Sequence, residues 1–148
     1  MRRGLILWGE RLGRWALALI FLAAALPKIM DPSGFASDIS HYAMLPDVVI
    51  NPLAVVLPWI EAVAALALLS GFAAEGAVLL TALMLAAFLG GLGQAWIRGL
   101  DIDCGCFGHS DARGNVAVAF ARDTGFLLLA GLVLFLRRLR NRPVADAR

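Results

Sequence analysis

Four long apolar stretches constrain this chain more than any other feature. They run over Leu12–Met30, Val48–Leu69, Gly76–Ile97 and Val116–Leu136. A helix that crosses a bilayer needs about 20 mostly apolar residues. Backbone in lipid must satisfy its own hydrogen bonds, so such runs fold as helices. The composition agrees: 61% of residues are hydrophobic, 16% are charged, and the mean hydropathy is +0.81. A soluble domain of this size has too little interior for that much apolar surface. The expected fold is therefore all-α, a four-helix bundle integral to a membrane, in one domain spanning residues 1–148.

The first stretch ends at Pro27, Lys28 and "DPSG"; the second carries Pro52, Pro58 and Glu61 and stops at Gly71. The uninterrupted apolar part of the fourth, Thr124–Leu136, is short for a span. It reaches full length only if Arg122 and Asp123 lie in the interface or pair inside the bundle. An N-terminal signal peptide is the competing reading of "RWALALIFLAAALPK". Its apolar run is long for a signal core and leads into Pro27 and Lys28, which disfavours cleavage.

Charge placement sets the expected topology. Of thirteen basic residues, four lie in 1–15 (Arg2, Arg3, Arg11, Arg14) and five in 137–148 (Arg137, Arg138, Arg140, Arg142, Arg148). Short basic tails beside apolar runs point to cytoplasmic juxtamembrane anchoring, not nucleic-acid binding. Four spans then leave both termini in the cytoplasm. The stretch 31–47 has no Lys or Arg and carries Asp31, Asp38 and Asp47, as expected of an outer loop. The cysteine loop, 98–115, falls outside by parity.

Small residues recur in the third stretch: Ala86, Gly90 and Gly93, with Ala87 and Gly91 beside them. Close helix packing is their ordinary use in lipid; a groove for a cofactor is the alternative. "GGLG" follows no strand, so it is not a dinucleotide fingerprint.

The cysteine loop reads "RGLDIDCGCFGHSD" and holds both cysteines of the chain, Cys104 and Cys106. Outside the cytoplasmic membrane, disulfides form and persist. Residues at i and i+2 reach disulfide spacing only when the chain bends, and Gly105 permits the bend. So small a ring removes little entropy from the unfolded chain, so it is a poor staple. A strained bridge is readily reduced, which suits electron exchange. Asp101 and Asp103 disfavour a thiolate, whereas His109, Arg98 and Arg113 would favour one if they fold back. Cys104, Cys106 and His109 also form a C-x-C-x₂-H pattern compatible with zinc or copper, but a structural site wants a fourth ligand, so no metal is assigned.

A second group consists of charges at or inside the spans: Lys28, Glu61, Arg122 and Asp123. Each costs about 2.5–3.5 kcal/mol in lipid on insertion scales. One reading is a structural network, Glu61 with Lys28 or Arg122. The other is a proton or quinone-headgroup site near the outer face, joined by Gln94 and covered by His41 and Tyr42.

Several segments together are similar to a known family. "DIDCGCFG" (101–108) resembles the loop of the MauE family of membrane proteins, named for methylamine utilisation. "FLAAALPKIMDPSGFASDI" (21–39), "LPWIEAVAALALLSG" (57–71) and "ARDTGFLLLAGLVL" (121–134) resemble helix ends of the wider DoxX-like group. The resemblance covers roughly residues 12–138. It implies a four-helix membrane protein linked to redox chemistry and to maturation of methylamine dehydrogenase, whose small subunit is rich in disulfides. It also implies a thioredoxin-like periplasmic partner. Membrane oxidants of the DsbB and vitamin K epoxide reductase type use two cysteine pairs; one pair here excludes such a relay within one molecule.

The sequence thus leads to thiol–disulfide exchange at Cys104 and Cys106, supporting disulfide formation or maturation of exported proteins. Two readings compete: a non-enzymatic assembly factor or metal-binding scaffold, and a small-molecule oxidoreductase with quinone as the candidate cofactor.

Overall fold

A computed structural model describes residues 2–42, 44–99 and 116–141. Among the described residues there are five helices: α1 (Arg2–Met30), α2 (Pro32–His41), α3 (Asp47–Ser70), α4 (Ala74–Ile97) and α5 (Val116–Asn141). Four of them are long and apolar enough to cross a membrane; α2 is the short exception. Each span buries only 22–33% of its most apolar window within the molecule. The remaining apolar surface, including Trp8, Val55, Trp59, Val63 and Leu128, requires an apolar solvent. The chain is an all-α membrane bundle.

α1 packs between α3 and α5, and α4 closes the square against α5 and α3. Contacts at the ends give an antiparallel arrangement. Glu10 of α1 meets Arg137 and Arg140 near the end of α5, and Arg14 lies against Gly71 at the end of α3. The core follows the bundle axis in layers. Leu17, Leu68, Val78 and Val133 form one; Phe21, Ala65, Met84 and Leu85 the next; Leu92, Val116 and Ala119 the last.

α1 ends at Met30, the expected bound, with Pro27 inside it. Two local features differ from the sequence expectation. Asp31 does not simply end that helix but caps the next one: its Oδ1 accepts from the Gly34 N–H at 2.9 Å, and Pro32 takes the first helical position. An acidic N-cap followed by proline is a strong helix start, so α2 occupies a stretch expected to be loop. The outermost helices are also longer than expected. α1 starts at Arg2 and α5 continues to Asn141, because Glu10, Arg14, Arg137 and Arg140 satisfy one another across them.

Gly71 ends α3 as expected. It adopts φ +78° and donates its N–H to the Ala67 carbonyl at 3.0 Å. A side chain is strained there, which is why glycine terminates this helix. Ala73, with φ +47°, is the non-glycine residue in the same region of φ among the described residues.

Candidate functional site

The inward faces of the helices carry the chemistry. Along α3 the buried positions are Ile50, Ala54, Pro58, Glu61, Ala64, Ala65 and Leu68, an apolar helical stripe with one acid. α1 repeats this with Leu17, Phe21, Ala25 and Lys28, and α5 with Val116, Ala119, Asp123 and Ala130. Lys28, Glu61 and Asp123 are only 3%, 2% and 4% exposed. Each therefore occupies a core position of its helix.

Lys28 and Glu61 form a two-pronged ion pair. The ammonium donates to Glu61 Oε1 at 2.8 Å and Oε2 at 3.0 Å. Two aromatic rings complete the enclosure: Nζ lies 4.9 Å from the Phe35 ring centre on α2 and 5.0 Å from that of Phe88 on α4. A cation over an aromatic face is attracted by the ring quadrupole, most strongly when desolvated. One side chain of α1 is thereby held by α2, α3 and α4 together. A buried ion pair is tolerated only with such complete partnering.

Arg122 and Asp123 form a second pair, Nε to Oδ1 at 3.0 Å. Glu61 thus pairs with Lys28 and not with Arg122. The two pairs meet at a cavity of about 40 Å³ enclosed by α1, α3, α4 and α5, lined by Lys28, Glu61, Phe88, Arg122, Asp123 and Phe126. That volume accommodates a water or two; most of its lining surface is apolar, with the four charged side chains at its edge.

A much larger apolar cavity, about 410 Å³, lies beside it between α2, α3 and α4. Tyr42, Leu57, Met84, Ala87, Phe88 and Gly91 are among its walls. Phe88 is common to both cavities. Tyr42 lies here, with its ring carbons 3.8 Å from where a Gly91 Cβ would be. It does not cover the ion pairs. Gln94 and His41 are exposed and line neither cavity. Ala87 and Gly91 open the groove, whereas Gly93 packs against Phe120.

Asp101, Asp103, Cys104, Gly105, Cys106, His109 and Arg113 lie outside the described residues. Among the described residues no three His, Cys, Asp or Glu side chains converge as metal ligands.

Sequence reasoning missed three contributors. Phe35 and Phe88 flank Lys28: Phe35 lies in the stretch expected to be an outer loop, and nothing in the apolar run of α4 distinguishes Phe88 from a lipid-facing phenylalanine. Glu10 is fully buried and takes Arg140 at 2.7 Å, Arg137 at 3.2 Å and Arg14 at 3.5 Å. Three terminal arginines expected to anchor in headgroups are instead drawn onto this acid. The available signal was spacing: Glu10, Leu17, Phe21, Ala25 and Lys28 fall on one helix face.

Comparison with known proteins agrees with the family suggested by the residues. The family model described as Methylamine utilisation protein MauE matches residues 5–136. The chain is 36% identical to the methylamine utilization protein MauE of Paracoccus denitrificans over 104 residues, 70% of this chain and 54% of that protein. It is 30% identical to the MauE of Methylophilus methylotrophus over 120 residues, 80% and 62% of the two chains. A third MauE, from Methylorubrum extorquens, is 30% identical over 133 residues, 88% and 68%. The chain spans between half and two thirds of the length of the first two relatives. No solved structure matches it. With its four apolar helices and a family match over nearly its whole length, this chain belongs to the MauE family of methylamine utilisation proteins.

Proposed function

We propose that this protein is a membrane thiol–disulfide exchange factor in methylamine utilisation, acting on the extracytoplasmic face. Cys104 and Cys106 alternate between dithiol and disulfide with a thioredoxin-like partner, and so support maturation of a disulfide-containing exported protein of the methylamine dehydrogenase type. One cysteine forms a mixed disulfide with the partner and the other resolves it. The partner's two S–H bonds are replaced by one S–S bond, while the Cys104–Cys106 disulfide becomes a dithiol. Gly105 is the residue whose sequence position permits the bend, and His109, Arg98 and Arg113 are the neighbouring groups able to offset the acids Asp101 and Asp103.

The observation that carries this reading is the placement of the chain's two cysteines. They stand at i and i+2 in the segment joining α4 to α5 of a MauE-family protein. That segment leaves the bundle at the end opposite the arginine-rich termini of α1 and α5. The arginine distribution supports cytoplasmic termini and an outer cysteine segment. The Lys28–Glu61 and Arg122–Asp123 pairs serve as the rigid frame that holds this end together.

The test is alkylation of intact spheroplasts with a membrane-impermeant, mass-shifting thiol reagent, combined with Cys104→Ser and Cys106→Ser single variants. Labelling only after reduction, and a trapped mixed disulfide in one single variant, are expected. Free outer thiols with full maturation activity in the double variant would make the protein a non-redox assembly factor. Labelling only after the membrane is permeabilised would place the loop inside and overturn the topology.

A further inference from the structure

Glu10 gathers three arginines and neutralises one of them. Arg140 donates to Oε2 at 2.7 Å and Arg137 to Oε1 at 3.2 Å, while Arg14 stays at 3.5 Å. The second acid at this end, Glu75, is more than half exposed and comes no nearer than 3.9 Å to Arg137. Three guanidiniums thus face two carboxylates, one of them in poor contact. This corner, where α1, α5 and the α3–α4 turn meet, keeps an excess of positive charge. We propose that it binds the phosphate of an anionic membrane phospholipid. The site is independent of the thiol-exchange reading.

The first support is the unspent hydrogen-bonding capacity. Arg14 is 11% exposed, yet its Nε and that of Arg137 are enclosed and donate no hydrogen bond among the described residues. Arg140 uses Nη1 on Glu10 and Nε on Asn141, which leaves Nη2 for a phosphate oxygen. Buried donors without acceptors are costly, and the guanidinium fork matches the geometry of phosphate.

A second support comes from α4. Its N-cap is Ala73, which has no side-chain acceptor to offer, and no side chain caps the helix. The positive end of the helix dipole therefore lies at the same corner, since Arg137 approaches Glu75 in the first turn of α4 and Arg14 lies against Gly71 just before it. An anion here meets the guanidiniums and a helix N-terminus together.

The surroundings favour a lipid over a soluble anion. Trp8 and Leu12 on α1 and Phe135 on α5 flank the cluster in sequence, and each is more than half exposed. Arg11 lies 6.0 Å from the Trp8 ring centre, an arrangement suited to a membrane interface. A phosphate carried by a lipid places its acyl chains along these apolar side chains, which a free phosphate leaves unused. Basic pockets between transmembrane helices take anionic headgroups in this way.

The test titrates the purified full chain, in a neutral maltoside detergent, with dioleoylphosphatidylglycerol and reads lipid adducts by native mass spectrometry. Saturable binding is expected, with dioleoylphosphatidylcholine at least tenfold weaker. Arg14→Gln and, independently, Arg140→Gln should each weaken binding about fivefold. Glu75→Gln removes an exposed opposing charge and should tighten it. Arg98→Gln, at the other end of α4, removes the same charge and should leave binding unchanged. Circular dichroism checks that each variant is folded. If either arginine variant fails to fold, tightening by Glu75→Gln decides for the site and no change decides against it. Equal binding of the two lipids, indifference to the corner variants, or an equal loss with Arg98→Gln would overturn the site. Displacement by inorganic phosphate at the lipid's own concentration would assign the corner to a soluble anion and overturn the lipid.

Discussion

Lys28 shows what one residue contributes when its partners come from three other elements. Its charge is compensated by both oxygens of Glu61 and by the faces of Phe35 and Phe88. Removing one partner of a buried pair strands the other, at a cost of about 3–5 kcal/mol. Glu61→Gln is therefore expected to lower the melting temperature in detergent sharply. The double change Lys28→Met with Glu61→Leu removes both charges and should recover most of the loss, because well-packed apolar pairs often match or exceed buried ion pairs. Thermal unfolding followed by circular dichroism decides the matter. If the double variant is as unstable as Glu61→Gln, packing and not charge is what the pair supplies. Should the double variant instead be stable but inactive in maturation, the pair has a role beyond holding helices together.

At the scale of the element, contact between α1 and α5 depends on the absence of a side chain. A Cβ on Gly13 would stand 2.6 Å from Cγ2 of Val133, a fully buried β-branched residue with little rotamer freedom. Gly13→Ala should destabilise the bundle by about 1–3 kcal/mol through overpacking. Val133→Ala removes the clashing methyl, so the two changes should be less than additive, and a double-mutant cycle on melting temperatures measures the coupling. Additive losses would mean that the helices adjust independently. α2 is the other telling element. Its cap at Asp31 and its buried Phe35 pin it over Lys28, and Ile39 forms part of the apolar cavity.

Across the whole molecule, charge closes both ends of the bundle. At one end Glu10 gathers Arg14, Arg137 and Arg140, and Arg137 also approaches Glu75 at 3.9 Å. This ties the first and last helices to the α3–α4 turn. Glu10→Gln should leave three arginines facing one another and unravel the last turns of α5. The loss should fall short of the about 3–5 kcal/mol of a fully buried pair, since Arg140 is 31% exposed and therefore screened. Hydrogen exchange should show the loss of protection concentrated at residues 134–141. Uniform loss across all helices would instead mean that this end is integral to global stability. Between the two charged ends the molecule is apolar outward as well as inward, an inversion of the polar exterior of a soluble bundle.

How much of this was legible in the sequence follows from that inversion. Length and apolarity alone determined that the chain is a membrane helix bundle, because lipid permits no other backbone for runs of this kind. Gly71 as a terminator was readable, since its stop depends on a local φ. The cysteine motif was readable as a mark of the family. Hydropathy could not say which face of each span looks inward, because lipid-facing and core-facing side chains are both apolar in such helices. Hence Phe88 was invisible as a partner of Lys28 and Glu10 as a partner of three arginines, and "DPSG" was read as an ending without the helix it begins, which carries Phe35. Only the tertiary structure chose Lys28 over Arg122 as the partner of Glu61, and only it made Ala87 and Gly91 the wall of a cavity. Those outcomes depend on which helix faces meet, and no single helix carries that information within itself.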